Sequence, residues 1–124
     1  MQNSELFRRG VVLPLDLDAE KLLRLNSADE ATRVRYLEIE NQQEFEVLWK
    51  SGVFQRINAI AESFLDDYEE DFLDVKNMSS ILTAIEDTQI TNKVSSVEEE
   101  RFMIALSSMA SEAASLGRPL LFVL

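Results

Sequence analysis

The sequence of 124 residues contains neither cysteine nor histidine. Without cysteine, the chain has no disulfide, no thiolate nucleophile and no thiolate ligand for zinc. Without histidine, it lacks the side chain that most often transfers protons and binds metals near neutral pH. Mechanisms that depend on a Ser–His–Asp or Cys–His group are therefore excluded, and we expect a protein that is not an enzyme.

Glycine and proline are also scarce, with three and two residues, so long loops should be few. No apolar run approaches the roughly 20 residues that cross a bilayer, and the N-terminus lacks the pattern of a secretory signal. The hydrophobic fraction of 46% and the charged fraction of 28% are typical of a globular protein. We expect one domain over residues 1–124, in a soluble cytoplasmic protein that does not bind membranes.

Acidic residues outnumber basic residues, and the acidic excess is confined to one part of the chain. The net charge is −11. Residues 1–35 hold six acidic and six basic side chains, whereas residues 36–124 hold 17 acidic and six basic ones. Contacts to nucleic-acid phosphates need clustered lysine and arginine, so direct binding of nucleic acid is not expected. A basic protein is the partner that this charge favours.

Three stretches have the composition of β-strands, near residues 8–13, 34–40 and 119–124. In VRYLEIE, the second of them, both faces carry apolar side chains, with Leu37 on one face and Tyr36 on the other. Pro14 cannot donate to a β-ladder, so the first strand either ends there or lies at a sheet edge. The last stretch, PLLFVL, is apolar enough to form a buried strand.

Four main helices are predicted near residues 41–51, 53–70, 75–86 and 97–116, which together with the strands gives an α+β fold. Asn41 is placed to cap the first helix, and Gly52 follows its end. Ser96 and Glu99 have the spacing of a capping box at the start of the last helix, which Gly117 terminates.

Between the first two strands the pattern is weaker. Asp18 can cap a short helix over residues 19–25. Residues 26–32 are typical of a polar turn, but a short helix is the alternative if Ser27 and Glu30 form a capping box.

The helix predicted over 53–70 separates apolar from acidic residues. Projected at 100° per residue, its apolar side chains fall within an arc of about 140°, the width of a stripe that faces a core. These side chains are Phe54, Ile57, Ile60, Ala61, Phe64, Leu65, Tyr68 and Phe72. Acidic pairs four residues apart oppose the helix by about 0.2–0.5 kcal/mol each, and burial of the stripe should outweigh this cost.

The acidic face of that helix is the predicted partner-binding site. The stretch ESFLDDYEEDFLD, residues 62–74, holds seven carboxylates and no lysine or arginine. Such charge speeds encounter with a basic partner and selects for it, while solubility alone is the competing explanation. The candidate contact residues are Glu62, Asp66, Asp67, Glu69, Glu70 and Asp74.

Carboxylates can also bind metals or catalyse glycoside hydrolysis. On the predicted helix they point away from one another, and the EF-hand spacing with its central glycine is absent. Among 23 acidic residues some close pair is inevitable, so a pair alone predicts nothing. Neither a glycine-rich phosphate loop nor a G-x-S-x-G motif occurs. We therefore predict no catalytic residue, no metal site and no cofactor.

The stretch FEVLWKSGVFQRIN, followed by FLDDYEEDFL, resembles a group of small acidic bacterial proteins with a "gvF..IN......iDDYEE" core. The resemblance covers roughly residues 34–86 and implies no particular activity. In size, acidity and lack of catalytic residues the chain is also similar to immunity proteins that neutralise secreted bacterial toxins. That similarity implies a basic, nuclease-type toxin domain as the partner, blocked by stoichiometric binding.

Two functions remain open from the sequence. The first is a non-catalytic interaction module, an immunity protein or antitoxin whose acidic helix face covers a basic toxin domain. The second is a structural or scaffold subunit that forms a homodimer and whose acidic surface serves only solubility. Either PLLFVL or the strand over 34–40 could then pair across a two-fold axis.

Overall fold

The computed structural model describes residues 3–67, 69–92 and 96–124 and has an α+β fold. The strands are β1 (Gly10–Pro14), β2 (Val34–Glu38), β3 (Glu70–Leu73) and β4 (Leu120–Val123). The helices are α1 (Asn3–Leu6), α2 (Leu17–Arg24), α3 (Gln42–Ser51), α4 (Val53–Ala61), α5 (Met78–Thr91) and α6 (Val97–Leu116), with a 3₁₀ turn over Val75–Asn77.

The four strands form one antiparallel sheet in the order β2-β1-β4-β3. Both of its faces are buried. The larger core lies between the sheet and helices α3 to α6, and Phe54, Phe102 and Phe122 are among its fully buried side chains. A smaller core on the other face contains Phe7 and Leu23. The protein is therefore layered, with the sheet between two sets of helices.

The three predicted strands are all present, and β3 is a fourth strand that was not predicted. Pro14 ends β1, which lies inside the sheet rather than at its edge. The C-terminal strand β4 is buried as predicted, and β1 and β3 pair with its two sides. Homodimerisation through an open edge of PLLFVL is therefore wrong, because that strand has no open edge. The strand predicted over 34–40 is β2, and it lies at one edge of the sheet.

The helix ends with local signals are confirmed. The Asn41 side chain accepts a hydrogen bond from the Glu44 amide at 2.8 Å, and Gly52 ends α3 in the left-handed region. The Ser96 hydroxyl accepts from the Glu99 amide at 3.1 Å at the start of α6, and Gly117 is left-handed at its end.

Two helix boundaries differ from the prediction, while residues 26–32 agree with it. Helix α2 begins at Leu17 because Asp16, rather than Asp18, caps it through the Ala19 amide. Residues 26–32 form turns without a helix, as the first of the two alternatives predicted. Helix α5 continues to Thr91, beyond the predicted end at residue 86.

The helix predicted over 53–70 is wrong in its second half. Helix α4 ends at Ala61, and Glu62 adopts a left-handed conformation with φ of 55°. Residues 63–67 form a loop, and residues 70–73 are extended in β3, paired with β4. The break avoids the acidic pairs that a continuous helix would place four residues apart, and the sheet satisfies the backbone instead. Tyr68, predicted in the apolar stripe, lies outside the described residues.

Candidate protein-interaction surface

The loop that follows α4 is held by one side chain. The Asn58 amide nitrogen donates to the Leu65 carbonyl at 2.9 Å, and its Oδ1 atom accepts from the Leu65 amide at 2.7 Å. The same oxygen accepts from the Ser63 hydroxyl at 2.9 Å. Because Leu65 is buried in the larger core, these bonds fix the loop on both sides of Phe64. Phe64 is therefore presented in a defined geometry.

Phe64 projects from this clamped loop into solvent. Its side chain is 81% exposed, although the helical projection predicted it in the core. Ile60, from the same predicted stripe, is 42% exposed. Single exposed apolar residues are common on protein surfaces, but these two line the same groove. We call Ile60, Glu62, Phe64, Asp66, Glu69 and Glu70 the Phe64 surface.

The groove beside Phe64 lies between the end of α4 and strand β3. It has a volume of about 590 Å³ and is open to solvent. Its walls include Ile60 and Phe64 on one side and Asp71 and Asp74 on the other, with Lys76 as a basic neighbour. The groove therefore combines apolar contact area with carboxylates.

Strand β3 borders this groove, and its outer edge pairs with no strand of the described residues. The Leu124 amide donates to the Glu69 carbonyl, so the backbone C=O group of Glu69 points towards β4. Since antiparallel ladders alternate, Glu70 and Phe72 direct their N–H and C=O groups away from β4. Such an edge can accept an extended segment of another protein.

Two of the six predicted contact residues are engaged within the protein. Asp67 forms an ion pair with Arg9, and Asp74 pairs with Arg24 at 3.2 Å. Arg24 also lies over the Phe72 ring, 4.5 Å from its centre. These two carboxylates therefore stabilise the loop and the end of β3 and contribute less to any free acidic surface.

Arg9 ties the acidic loop to the sheet and to α3. Its guanidinium donates to the Leu124 carbonyl at 2.8 Å and to Gln42 Oε1 at 2.7 Å. It also lies over the Phe45 ring, 3.9 Å from the centre, and contacts Asp67. A cation stacked on an aromatic ring and bonded on several sides is held more firmly than an exposed ion pair. Arg9 therefore fixes the position of the loop beyond Leu65.

The other four predicted contact residues remain exposed. Within the part of the chain that the structure describes, Glu62, Asp66, Glu69 and Glu70 form no ion pair. They do not share one helix face as predicted, because Glu62 follows α4, Asp66 lies in the loop and Glu70 begins β3. The fold places Glu62 in the groove beside Ile60 and Phe64, Asp66 beside helix α3, and Glu70 on the edge strand β3.

Phe64 itself was missed as a functional candidate because the helical projection counted it with the core. One signal in the sequence argues against that projection. The extended helix requires Asp71 to lie close to the apolar stripe, whereas a strand places Asp71 and Phe72 on opposite faces. The position of Asn58 at the edge of the stripe is a second signal, since such side chains bond readily to nearby backbone.

The described ranges contain neither a metal-binding cluster nor a membrane-spanning helix. Among residues 3–67, 69–92 and 96–124, no group of three or more carboxylates is placed to hold a metal ion. None of the described helices has both the length and the apolar composition that a bilayer-spanning segment needs.

Comparisons with known proteins indicate no function for this surface. No protein-family model matches this chain, and no curated protein or solved structure is significantly similar to it.

We predict that Asn58→Ala lowers the free energy of unfolding by about 1–3 kcal/mol, because the buried amide and carbonyl of Leu65 lose their partners. Urea unfolding followed by circular dichroism measures this change. Asn92→Ala is the control, since among the described residues the Asn92 side chain makes one hydrogen bond, to the Ser51 carbonyl at 3.1 Å. Equal losses in the two variants would show that Asn58 does not clamp the loop.

Proposed function

We propose that this protein is a non-catalytic binding module that recognises a basic protein through the Phe64 surface. The observation that carries the proposal is the exposed Phe64 ring on a loop fixed by Asn58, in a groove that also contains Glu62 and Asp71, neither of which forms an ion pair with a described residue. Aromatic residues that fill a pocket of the partner often supply most of the binding energy at an interface. The carboxylates around the ring would attract a cationic partner and orient it.

The chemistry of this surface favours a protein over nucleic acid as the partner. Glu62, Glu69 and Glu70 would repel phosphate groups, while they complement lysine and arginine. The open edge of β3 offers backbone groups that an extended protein segment can pair with. An apolar pocket bordered by basic residues is therefore the partner feature that this surface fits best.

Neutralisation of a toxin is the form of this function that we propose. A basic toxin domain, of the nuclease type, must expose cationic groups to bind its substrate. An acidic module that covers those groups would block the domain by stoichiometric binding, as immunity proteins do. On this proposal the protein acts as an inhibitor and needs no catalytic residue of its own.

The test uses the protein encoded by the neighbouring reading frame, co-expressed with this chain and purified as a complex. We expect a one-to-one complex whose affinity falls as salt rises, because exposed charges are screened. Failure to form any complex with that protein would contradict the proposed toxin neutralisation.

We predict that reversing Glu62, Glu69 and Glu70 to lysine slows association with this partner about tenfold or more at low salt, because the charge that steers encounter is inverted. Stopped-flow fluorescence or surface plasmon resonance measures the association rate. The matched control reverses Glu30, Glu86 and Asp87, which are exposed elsewhere on the molecule.

The two triple variants separate local charge from net charge. Each reversal adds two charges, so both variants carry −5 in place of −11. If the control slows association as much as the Phe64-surface variant, the acidic residues act only through the overall charge. That outcome would reject the Phe64 surface as the docking site.

A further inference from the structure

A second pocket lies beside the clamped loop, between helix α3 and the residues that follow Leu65. Its volume is about 270 Å³. One wall is a single face of α3, because the side chains that form it recur once per helical turn. These side chains are Gln42, Phe45, Glu46, Trp49 and Lys50. Asp66 and Asp67 form the other wall, so the pocket joins a helix face to the loop that presents Phe64.

The aromatic part of the pocket consists of two stacked rings. Trp49 is half-buried, and the centre of its ring lies 5.7 Å from that of Phe45 at an interplanar angle of 28°. It also lies 6.0 Å from the Phe54 ring in the larger core, so the core fixes its orientation. Of the aromatic side chains, tryptophan attracts a cation to its face most strongly. Trp49 therefore offers a fixed surface on which a cation can stack.

The carboxylates of the pocket give it an excess of negative charge. Glu46 and Asp66 are exposed and form no ion pair with a described residue. The Asp67 amide donates to Asp66 Oδ1 at 2.8 Å, which orients the Asp66 carboxylate. Asp67 itself is neutralised by Arg9. Lys50 offsets one of the two remaining carboxylates, so the lining keeps a net negative charge.

The guanidinium of Arg9 already uses part of this lining. It lies over the Phe45 ring, 3.9 Å from the centre, and forms an ion pair with Asp67. An aromatic face and a carboxylate thus hold a guanidinium at one side of the pocket. Trp49 and Asp66 offer the same two kinds of group, and neither is used by Arg9 in this way. The lining is therefore suited to a second guanidinium, supplied from outside the protein.

We propose that this pocket binds an arginine side chain of the basic partner, with the guanidinium over the Trp49 ring and bonded to Asp66. The inference rests on the proposed function and adds a second contact beside the same loop. Arginine fits better than lysine, because the guanidinium is planar, stacks on aromatic rings and is more weakly hydrated than an ammonium group. The partner would then place an apolar group against Phe64 and an arginine between the loop and α3.

Titration with L-argininamide, followed by the fluorescence of Trp49, tests the pocket without the partner. Trp49 is the single tryptophan of the chain, so the signal reports on this pocket. We expect a saturable change with a dissociation constant on the order of 1 mM. L-citrullinamide has nearly the same shape without the charge, and it should bind about fivefold or more weakly.

Asp66→Asn should raise the dissociation constant of L-argininamide about threefold, because the carboxylate that pairs with the guanidinium is lost. Asp87→Asn is the matched control, since it removes the same charge from an exposed position on α5, outside the pocket. It should leave the dissociation constant unchanged. Equal binding of the two amides, or equal effects of the two variants, would overturn the proposal.

The complex with the partner tests whether an arginine of that protein enters the pocket. Asp66→Asn should raise the dissociation constant of the complex about threefold or more at low salt, relative to Asp87→Asn. A partner that binds both variants equally well would overturn the proposal and leave the Phe64 surface unaffected, since Phe64 does not line this pocket. Absence of any complex would instead contradict the proposed function, whereas the L-argininamide titration decides the chemistry of the pocket by itself.

Discussion

Gly10→Ala is expected to lower the free energy of unfolding by about 3 kcal/mol or more. Gly10 begins β1 with φ of 147°, a conformation that residues with a side chain rarely adopt. A Cβ atom there would lie 2.1 Å from the Leu37 carbonyl oxygen and 2.9 Å from the Tyr36 ring. Since β1 is paired on both sides, neither the strand nor its neighbour can move away without breaking the sheet.

Urea unfolding followed by circular dichroism measures the loss, and Gly117→Ala is the matched control. Gly117 has φ of 70°, but no atom of the described residues, apart from its own and its chain neighbours', lies within 4 Å of the position that its Cβ would take. The control should therefore cost only the backbone strain, about 1–2 kcal/mol. If the two variants lose the same free energy, the close approach of β1 to β2 at Gly10 is not as described.

Phe64→Ala is expected to weaken binding of the basic partner about 30-fold or more, which corresponds to about 2 kcal/mol. The ring would fill a pocket of the partner, and its removal would leave that pocket empty. The free energy of unfolding should change by less than about 0.5 kcal/mol, because the side chain is 81% exposed. Titration calorimetry measures the affinity, and urea unfolding measures the stability.

Ile90→Ala controls for the loss of any exposed apolar side chain. Ile90 is 66% exposed and lies on α5, away from the groove beside Phe64. It should change neither affinity nor stability. A large loss of stability in Phe64→Ala would place the ring in the core, as the helical projection predicted, and would remove the basis for the proposed surface.

The parts of the fold that the sequence predicts well depend on local interactions. The cap formed by Asn41 and the left-handed Gly52 lie within a few residues of the helix ends that they define. The same holds for Ser96 and Gly117 around α6. Buried strands with an apolar run, such as β4, are also predicted, since composition alone marks them. The α+β class follows from these elements.

The parts of the fold that the sequence does not predict depend on contacts between distant residues. Strand β3 exists because Phe72 and its neighbours pair with β4, about 50 residues further along the chain. The apolar spacing from Phe54 to Phe72 fits a helix, yet α4 ends at Ala61 and its polar neighbour Asn58 clamps the loop. The local sequence pattern likewise does not predict the ion pair between Arg9 and Asp67.

The candidate site also differs from the prediction because of contacts between distant residues. Its acidic residues are clustered in the sequence, but the helix face on which they were predicted does not exist. The loop and the edge of β3 replace that face, and they expose Phe64, which the helix would have buried. We therefore attribute the proposed binding energy mainly to an aromatic side chain surrounded by carboxylates, and not to charge alone.

The central claim is that the segment from Ile60 to Leu73 forms the surface that meets the partner. Hydrogen exchange of the free protein and of its complex with the protein from the neighbouring reading frame tests this most directly. We predict slower exchange in the complex over residues 60–67 and at the outward amides of Glu70 and Phe72, with α5 unchanged. Slower exchange confined to other segments, with residues 60–73 exchanging as in the free protein, would contradict it.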